Sequence, residues 1–443
     1  MAEAKCPRKI QKRVCEDRIS SLSNDLLIHI LLHVPTKDAV ATTLLSKRWR
    51  FVWTMLSRLT YRETKNKSDL QSKSVWWFLD ETMRFHKAPL LELLHIQLGK
   101  LCPIDVDVVK WVAKALDRPL CWLFFELLWN SEPTKMPNSL YTCKTLSILT
   151  LSRKIIVDVP SSVSLPSLTE LDLLSVVYKE EDSHVRLLSS CPVLKCLKVV
   201  RRNDVDDNVK TFSIKVPSLL SLTYKNTIFK RDEDDYTYVS LVIDTPALVY
   251  LDIFDYTGKS CSTEYMPCLA DATVDVDFNP DGNFLSSLSR TEFMYLGYVD
   301  NTMVPLYNAI NYSRLIESHI ELNDIDLCES LVVLLSNCPK LKNFLVKCQY
   351  ETDHFTLLWN QPSSVPKCLS SHLEIFEWDG YAGREDEKEF IRYILENSKC
   401  LKRAGILLNL TCNAEEKQKI IEELKSMHRV STSELLFSAL NVD

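Results

Sequence analysis

A repeated pattern of proline and apolar residues constrains this chain more than any other feature. From residue 89 onward the pattern Pro-x-Leu-x-x-apolar-x-apolar keeps returning, and Pro166-Leu168-Leu171-Leu173 is a clear copy. Other clear copies begin at Pro89, Pro192, Pro217, Pro246 and Pro339, and the same core without proline begins at Leu146 and Leu373. Weaker copies begin at Trp122, Leu269, Phe293, Leu315 and Leu401. The mean period is about 26 residues, which lies within the range of leucine-rich repeats.

Each copy predicts a short strand whose apolar residues point inward, followed by a return segment. One such unit cannot bury its apolar side alone, so the units are expected to stack into a solenoid. Leucine pairs before Cys191-Pro192 and Cys338-Pro339 indicate return helices that end at the proline. Regular leucine-rich repeats carry Asn or Cys eight residues after the first Leu. Here those positions hold Gly99, Lys154, Val176, Arg202, Thr227, Tyr256 and Gln349. We therefore expect an irregular horseshoe without the inner hydrogen-bonding ladder.

Residues between the inward leucines form the candidate binding surface. Side chains alternate along a strand, so these residues are expected to face the open, concave side of the solenoid. The predicted target-binding residues are Glu170, Asp172, Lys198, Lys225, Tyr250, Asp252, Lys347 and Glu377. The alternative is that they form an ordinary solvated sheet face.

The apolar stretch at residues 17–53 is the second constrained region. Its leucine and isoleucine spacing predicts a helix over residues 24–33 that ends at Pro35, with Ser23 or Asn24 as its cap. Thr36 and Ser46 are candidate caps of a second and a third helix. Helices this short are not stable alone, and so small a segment cannot bury all of its leucines. The surplus apolar face is therefore expected to bind another surface.

At these residues the stretch resembles the F-box, the module through which substrate receptors of cullin-type ubiquitin ligases dock on a Skp-family adaptor. The matching residues are Leu22, Asp25, Leu26, Ile30, Leu31, Val34, Pro35, Ala39, Leu44, Ser46, Lys47, Arg48 and Trp49. The resemblance implies binding to the adaptor, and through it to cullin. The adaptor-binding residues that it implies are Leu22, Leu26, Ile30, Leu31, Val34, Pro35, Leu44 and Trp49. The family usually has Leu-Pro where this chain has Leu22-Ser23.

Residues 365–443 predict strands and helices of a different texture. An apolar strand near Trp378 is followed by a glycine-rich turn and by a helix that opens with three acidic residues. The region resembles the FBD domain that follows the repeats in many plant F-box proteins, and we expect it to cap the open end of the solenoid. The predicted fold is thus α/β, in four parts. These are a disordered basic tail at 1–16, a three-helix F-box at 17–56, an irregular leucine-rich-repeat solenoid at 57–364 and an FBD-type α/β cap at 365–443.

The composition argues against several classes of protein. None of the seven glycines lies in a phosphate-binding loop or a nucleophile elbow, which argues against nucleotide-hydrolysing and α/β-hydrolase enzymes. A net charge of −6 argues against nucleic-acid binding. The 15 cysteines contain no Cys-x-x-Cys pair, which is typical of a reduced compartment. No secretory signal or membrane-spanning run is visible. We expect an intracellular protein of the nucleus or cytoplasm without a membrane partner.

Two features resemble metal sites. His29 and His33 are four residues apart but have no acidic partner in the motif. The acidic stretches at residues 204–207 and 232–235 lack the ligand spacing of a known calcium loop, and solvated loops are the favoured interpretation. We expect neither a metal nor a cofactor.

The F-box resemblance implies a substrate-recognition subunit of a Skp–cullin–F-box ubiquitin ligase. Such a subunit is not catalytic, because it contributes by raising the effective concentration of a target near the ubiquitin-charged enzyme. One alternative is a repeat scaffold that assembles complexes without ubiquitin transfer, which adaptor binding would distinguish. Another is a ligand-dependent receptor of the same ligase class, which a deep pocket lined by basic residues would favour. The sequence shows no such basic cluster and does not identify the target protein.

Overall fold

The computed structural model describes most of the chain in separate stretches. These are residues 18–63, 75–128, 132–202, 209–227, 239–256, 258–277, 281–299, 304–322, 328–348, 362, 364–408 and 414–439. The predicted basic tail at 1–16 and the two acidic stretches at 204–207 and 232–235 lie outside the described residues.

The described residues form strands, α-helices and short 3-10 turns. In chain order the strands are β1 (Arg58–Arg62), β2 (Leu91–Leu98), β3 (Leu120–Leu127), β4 (Thr134–Lys135), β5 (Ile148–Arg153), β6 (Ile155–Val157), β7 (Glu170–Leu174), β8 (Val177–Tyr178), β9 (Cys196–Arg202), β10 (Thr211–Lys215), β11 (Ser221–Thr227), β12 (Val239–Asp244), β13 (Tyr250–Asp255), β14 (Gly258–Thr263), β15 (Asp271–Val276), β16 (Phe293–Val299), β17 (Glu317–Leu322), β18 (Asn343–Cys348), β19 (Ile375–Tyr381), β20 (Arg403–Leu408) and β21 (Glu434–Ala439). The helices are α1 (Asn24–Leu31), α2 (Thr36–Ala41), α3 (Trp49–Val52), α4 (Val75–Phe85), α5 (Val109–Ala115), α6 (Ser183–Ser189), α7 (Gly282–Leu288), α8 (Val304–Asn308), α9 (Cys328–Asn337), α10 (Lys367–Ser371), α11 (Glu385–Asn397) and α12 (Ala414–Ser426).

One long parallel sheet organises the molecule. Fifteen strands of the described part pair in the order β1-β2-β3-β5-β7-β9-β11-β13-β15-β16-β17-β18-β19-β20-β21. The order follows the chain, so each repeat adds one strand beside the previous one, as expected of a solenoid. This confirms the predicted α/β solenoid.

The inward leucines form continuous rows because successive strands pair in register. Leu94 of β2 lies opposite Leu123 of β3, and Leu171 of β7 lies opposite Leu197 of β9. All four side chains are buried. Each row therefore buries its apolar surface against the rows of the neighbouring repeats, which is the stacking that a single repeat cannot achieve.

In two of the weaker repeat copies the buried frame begins two residues earlier in the structure than the sequence pattern predicts. In β3 the buried frame is Leu120-Leu123-Phe125, and Trp122 faces the other side of the sheet. In β16 the buried frame is Thr291-Met294-Leu296, and Phe293 is only half-buried. In both strands a large aromatic side chain on the concave face had been taken for a core residue.

The return segments differ along the solenoid. Helices α6 and α9 end just before Cys191-Pro192 and Cys338-Pro339, as predicted. Other segments return through strands, which pair into two small parallel sheets, β4-β6-β8 and β10-β12-β14. The repeats around β10–β14 therefore enclose their core between two layers of strand.

The prediction that no inner polar ladder exists is wrong for three repeats. Arg201, Asn226 and Asp255 lie side by side on β9, β11 and β13, and all three are buried. The Asn226 amide donates to Asp255 Oδ1 at 3.1 Å, and the Arg201 guanidinium donates to the Val209 carbonyl at 2.6 Å. The ladder was missed because it lies one residue before the positions at which regular repeats carry Asn or Cys.

The helical N-terminal module is joined directly to the sheet. The chain passes from α3 through a 3-10 turn into β1, and the Thr60 amide of β1 donates to the Thr36 hydroxyl of α2 at 2.8 Å. Thr36 is thus the first residue of α2, after Pro35, rather than its cap as predicted. One buried apolar cluster runs from Leu27 and Trp49 into Leu59 and Leu94, so the module and the first repeats share a core.

The C-terminal region extends the same sheet instead of forming a separate layer. Strands β19, β20 and β21 pair in succession after β18, and helices α11 and α12 lie between them in the chain. Near the end of β19 the pairing with β20 shifts in register between Asp379 and Tyr381, and Gly380 at this point has a φ of +85°. A Cβ there would lie 2.3 Å from the Cys348 carbonyl oxygen.

Helix α11 begins with a buried carboxylate. Glu387 is 1% exposed and accepts hydrogen bonds at 3.0 Å from the backbone amides of Ala382 and Arg384. Burial nevertheless dominates and raises the pKa of Glu387 to about 7. Near neutral pH, ionisation of this residue is therefore less favourable in the folded chain than in the unfolded chain, which lowers the free energy of unfolding.

We expect this residue to make the stability of the chain depend on pH. Its folded-state pKa lies above the ordinary value of 4.5, so the cost is absent below pH 4.5 and complete above about pH 7. The free energy of unfolding of Glu387→Gln should exceed that of wild type, and the difference should grow to roughly 3 kcal/mol between pH 5 and pH 8. Urea unfolding at several pH values measures this difference. Glu385→Gln, on the exposed first turn of the same helix, is the control, and a pH-independent difference for Glu387→Gln would contradict the assignment.

Candidate functional site

The first helix of the N-terminal module is capped by the residue that departs from the F-box pattern. The Ser23 hydroxyl accepts a hydrogen bond from the Leu26 amide at 3.3 Å, and Asp25 lies in the first turn, where its charge suits the helix dipole. Ser23 therefore provides a defined start for α1 in the absence of the usual proline.

Arg48 ties the start of the third helix to the start of the first. Its Nε donates to Asn24 Oδ1 at 2.8 Å, one terminal nitrogen donates to the Ser20 carbonyl at 2.9 Å, and the other donates to the Leu22 carbonyl. A guanidinium can make these three bonds at once because its donors are fixed in a planar fork. The resemblance identified Arg48 as a matching residue, and the structure gives it this bridging role.

The helices leave an apolar face uncovered. Leu26 is 52% exposed, Ile30 is 45% exposed and Leu44 is 89% exposed. Val34 and Pro35 are also exposed, and Leu22 is half-buried. Three further apolar side chains of the module, which the sequence interpretation had not included, are exposed as well: Ile19, Leu45 and Phe51. Exposed apolar residues in such number on one small module are typical of an interaction site.

Two residues of the predicted docking set are corrected by the structure. Leu31 and Trp49 are 3% and 8% exposed and lie in the core with Leu27, Ala39 and Val52. Periodicity places a residue on an apolar stripe but does not say which part of that stripe the other helices cover. We therefore assign Leu31 and Trp49 to supporting the docking face from below.

Stability measurements can distinguish the buried side of α1 from its uncovered side. Leu27→Ala removes a fully buried side chain and should lower the free energy of unfolding by about 2–5 kcal/mol. Ile30→Ala, one turn away on the uncovered side, should change it by less than about 0.5 kcal/mol. Urea unfolding of the purified chain compares the two variants. Equal losses would mean that Ile30 is also a core residue and that the uncovered face is misassigned.

The eight predicted target-binding residues all lie on one face of the long sheet. Glu170 and Tyr250 precede an inward residue of their strands, whereas Asp172, Lys198, Asp252 and Glu377 follow one. Lys225 and Lys347 lie two residues further along their strands. All eight are exposed or half-buried. Whether they bind a target stays a prediction.

Several of these side chains are held by their neighbours on adjacent strands. Lys225 and Asp252 form an ion pair at 3.1 Å, and Lys347 pairs with Glu321 at 2.9 Å. Asp172 accepts a hydrogen bond from the Thr150 hydroxyl at 3.2 Å, and burial raises its pKa. The face is thus a pre-ordered polar surface, which lowers the entropy cost of binding.

Sequence reasoning missed a group of residues at the centre of this face. The Tyr256 hydroxyl donates to Asp275 Oδ1 at 2.6 Å, and the Tyr295 hydroxyl donates to Glu321 Oε2 at 2.5 Å. Between the two carboxylates lies Gly297, where a Cβ would come within 2.3 Å of Asp275 Cγ. The glycine allows the Asp275 side chain to lie across β16 towards Glu321. The available signal was the glycine within a strand, which marks a close approach.

The electrostatics of this group follow from its partial burial. Burial raises the pKa of Asp275, and the nearby charge of Glu321 raises it further. Burial also raises the pKa values of Tyr256 and Tyr295 above their ordinary value, so both hydroxyls keep their protons at neutral pH. They are therefore permanent donors to the two carboxylates.

The His29 and His33 rings lie edge-on 5.2 Å apart, and the described part holds no group of three or more potential metal ligands. A cavity of about 20 Å³ lies between β16, β17, α8 and α9; it is lined by apolar residues with Asn308 and Ser330 and has room for about one water molecule. No helix among the described residues is both long and apolar enough to cross a membrane.

Comparison with known proteins identifies all three regions. An F-box domain model matches residues 19–61, and a model described as FBD matches residues 361–406. A model of the LRR repeats of the FBD-associated F-box protein At5g56370 matches residues 108–266. The F-box/FBD/LRR-repeat protein At3g49480 of Arabidopsis thaliana is 60% identical, over 97% of this chain and 98% of the relative. The chain belongs to the plant F-box/FBD/LRR-repeat family.

Other relatives match over the same length. The FBD-associated F-box protein At1g05080 of Arabidopsis thaliana is 51% identical over 99% of this chain and 100% of the relative. The F-box/FBD/LRR-repeat protein At5g56420 of the same plant is 36% identical over 95% of this chain and 99% of the relative. F-box domains generally bind Skp-type adaptors, and F-box/LRR proteins are generally substrate adaptors rather than enzymes.

Proposed function

We propose that this F-box/FBD/LRR-repeat protein is the substrate-recognition subunit of a Skp–cullin–F-box ubiquitin ligase. The observation that carries the proposal is the uncovered apolar face of the F-box, with Leu26, Ile30 and Leu44 exposed above a closed core. Covering such a face removes apolar surface from water, which drives association. The adaptor docks there, and the cullin is reached through the adaptor.

The target protein binds the concave face of the solenoid in this proposal. The face is an extended, pre-ordered row of strands, and it carries the eight candidate residues together with the Tyr256, Asp275, Tyr295 and Glu321 group. Solenoids present such faces as binding surfaces. The protein contributes no catalytic group. It holds the target near the ubiquitin-charged enzyme and so raises the effective concentration.

In this proposal, adaptor binding and target binding take place on one packed body. The F-box shares its buried core with the first repeats, and Thr36 hydrogen-bonds to β1, so the docking face and the concave face belong to one packed body. A target bound on the solenoid is then held in a defined direction relative to the adaptor. We further propose that the protein works in the nucleus or cytoplasm, in keeping with its thiol-rich, Cys-x-x-Cys-free sequence.

Adaptor binding tests this function and separates it from a scaffold without ligase activity. Ile30→Ala should weaken binding of a purified Skp-type adaptor by about 2–5 kcal/mol if the side chain becomes central and buried in the complex. Calorimetric titration of the full chain measures this change. The matched control is Ile104→Ala, an equal truncation of a 70% exposed isoleucine in the loop between β2 and α5.

The control should bind the adaptor as wild type does. If Ile30→Ala also binds with unchanged affinity, or if the wild-type chain does not bind any Skp-type adaptor, the ligase assignment fails and the scaffold function is favoured.

A further inference from the structure

The concave face carries its charges unevenly along the solenoid. On the first seven strands of the long sheet, β1 to β11, the side chains of this face include five basic residues, Arg58, Arg62, Lys198, Arg202 and Lys225, and three carboxylates, Glu126, Glu170 and Asp172. This half is close to neutral and slightly basic.

The other half is strongly acidic. On the next seven strands, β13 and β15 to β20, the same face carries seven carboxylates, which are Asp252, Asp271, Asp275, Glu317, Glu321, Glu377 and Asp379. Its basic residues are Lys347 and Arg403. Both halves belong to one continuous surface, so its charge changes from slightly basic on the strands near β1 to acidic on the strands near β20.

The acidic half is not neutralised by its own ion pairs. Asp252 pairs with Lys225, Glu321 pairs with Lys347, and Glu377 pairs with Arg403. Asp271, Asp275 and Asp379 make no salt bridge to any residue that the structure describes. The Oδ2 atom of Asp275 likewise has no hydrogen-bond partner among the described residues, although the side chain is half-buried.

Asp275 and Glu321 form a notch with the geometry of a cation subsite. Each carboxylate receives a tyrosine hydroxyl, which orients it, and Gly297 leaves room for the Asp275 side chain to lie across β16 towards Glu321. Burial and the neighbouring Glu321 raise the pKa of Asp275, so a positive charge placed beside it would relieve an existing cost. Because Lys347 already pairs with Glu321 at 2.9 Å, Asp275 is the carboxylate of the two that has no salt bridge to a described residue, and a guanidinium or an ammonium group is its natural partner.

Apolar contact surface borders the same half. Tyr250 is 40% exposed at the start of β13, and Val249 and Leu220 beside it are 39% and 41% exposed. Further along the face, Phe293 and Tyr295 are half-buried on β16. Aromatic side chains of this kind are frequent anchors of protein interfaces. The surface therefore suits a polypeptide and not an isolated ion.

We propose that the concave face of β13 and β15 to β20 is the docking surface for a basic segment of the target protein, with lysine or arginine side chains opposite Asp271, Asp275 and Asp379. This inference rests on the proposed function, because it names the chemistry of the target that the solenoid presents. Seven strands spaced about 4.8 Å apart span about 29 Å, which matches an extended segment of roughly nine residues.

Other occupants fit less well. A nucleic acid would be repelled by seven carboxylates. The N-terminal tail of this chain carries Lys5, Arg8, Lys9, Lys12 and Arg13 and has suitable charge. However, it precedes the F-box, which adjoins β1 at the other end of the sheet. We treat the tail as an outcome of the test.

The test uses the full chain in complex with its adaptor and a fluorescein-labelled synthetic peptide. The peptide has twelve residues, with lysine and arginine alternating with glycine and serine, and its control has glutamine at every basic position. Binding is followed by fluorescence anisotropy at several salt concentrations. The triple variant Asp271→Asn, Asp275→Asn, Asp379→Asn should bind the basic peptide about tenfold more weakly, the size expected for three charge pairs near the surface.

The matched control removes three exposed carboxylates from the segment between β8 and α6, which lies outside the long sheet. Glu180→Gln, Glu181→Gln, Asp182→Asn has the same net charge as the first variant, and its affinity should stay within twofold of wild type. Equal losses in both triple variants, or equal binding of the basic and glutamine peptides, would overturn the proposal. Either result would leave the proposed function standing as long as the adaptor still binds.

One further variant identifies an internal occupant. Replacing the five basic tail residues by glutamine should leave peptide affinity unchanged. If affinity instead rises more than threefold, the tail competes for the face, and the surface serves the chain itself rather than a target. Loss of adaptor binding by the wild-type chain would instead refute the proposed function, so the two failures are distinguishable.

Discussion

In-register pairing of parallel strands is the constraint on which the rest of this structure depends. Each repeat buries its apolar row only because the next strand places an equivalent row beside it, as Leu123 does for Leu94 and Leu149. Register also decides what faces outward, since a slip of one residue would exchange core and concave side chains. The alignment of Tyr295 with Thr273 and His319, and the position of Gly297 beside Asp275, follow from that register alone. The functional face is therefore a direct product of core packing.

The same constraint joins three regions that sequence comparison treats separately. The F-box leads into β1, the repeats supply the middle strands, and β19 to β21 of the C-terminal region extend the sheet without interruption. Because the core is continuous from Leu27 to Met427, a partner bound at one end is held by the same packed structure as a partner bound on the concave face. This continuity suits the proposed function, in which two partners are held at a fixed separation.

The sequence predicted the strands well because each one carries several apolar residues at fixed spacing. It failed where a single side chain decides the outcome. Trp122 and Phe293 were taken for core residues because a large aromatic residue on a partly covered face has the same pattern as a buried one. Leu31 and Trp49 were placed on the docking face because helical periodicity does not show which neighbour covers a stripe. The arrangement of Asp275 and Glu321 depends on contacts between residues 19 and 26 positions apart in the chain, which no local pattern contains.

In the proposed function, the adaptor surface and the target surface are separate faces of one packed body. Hydrogen exchange of the full chain, measured with and without saturating adaptor, distinguishes the two faces. We expect slower exchange in peptides that cover α1 and residues 42–55, and unchanged exchange in β13, β15 and β17. Protection of the concave strands by the adaptor, or saturated binding without protection of α1, would contradict it.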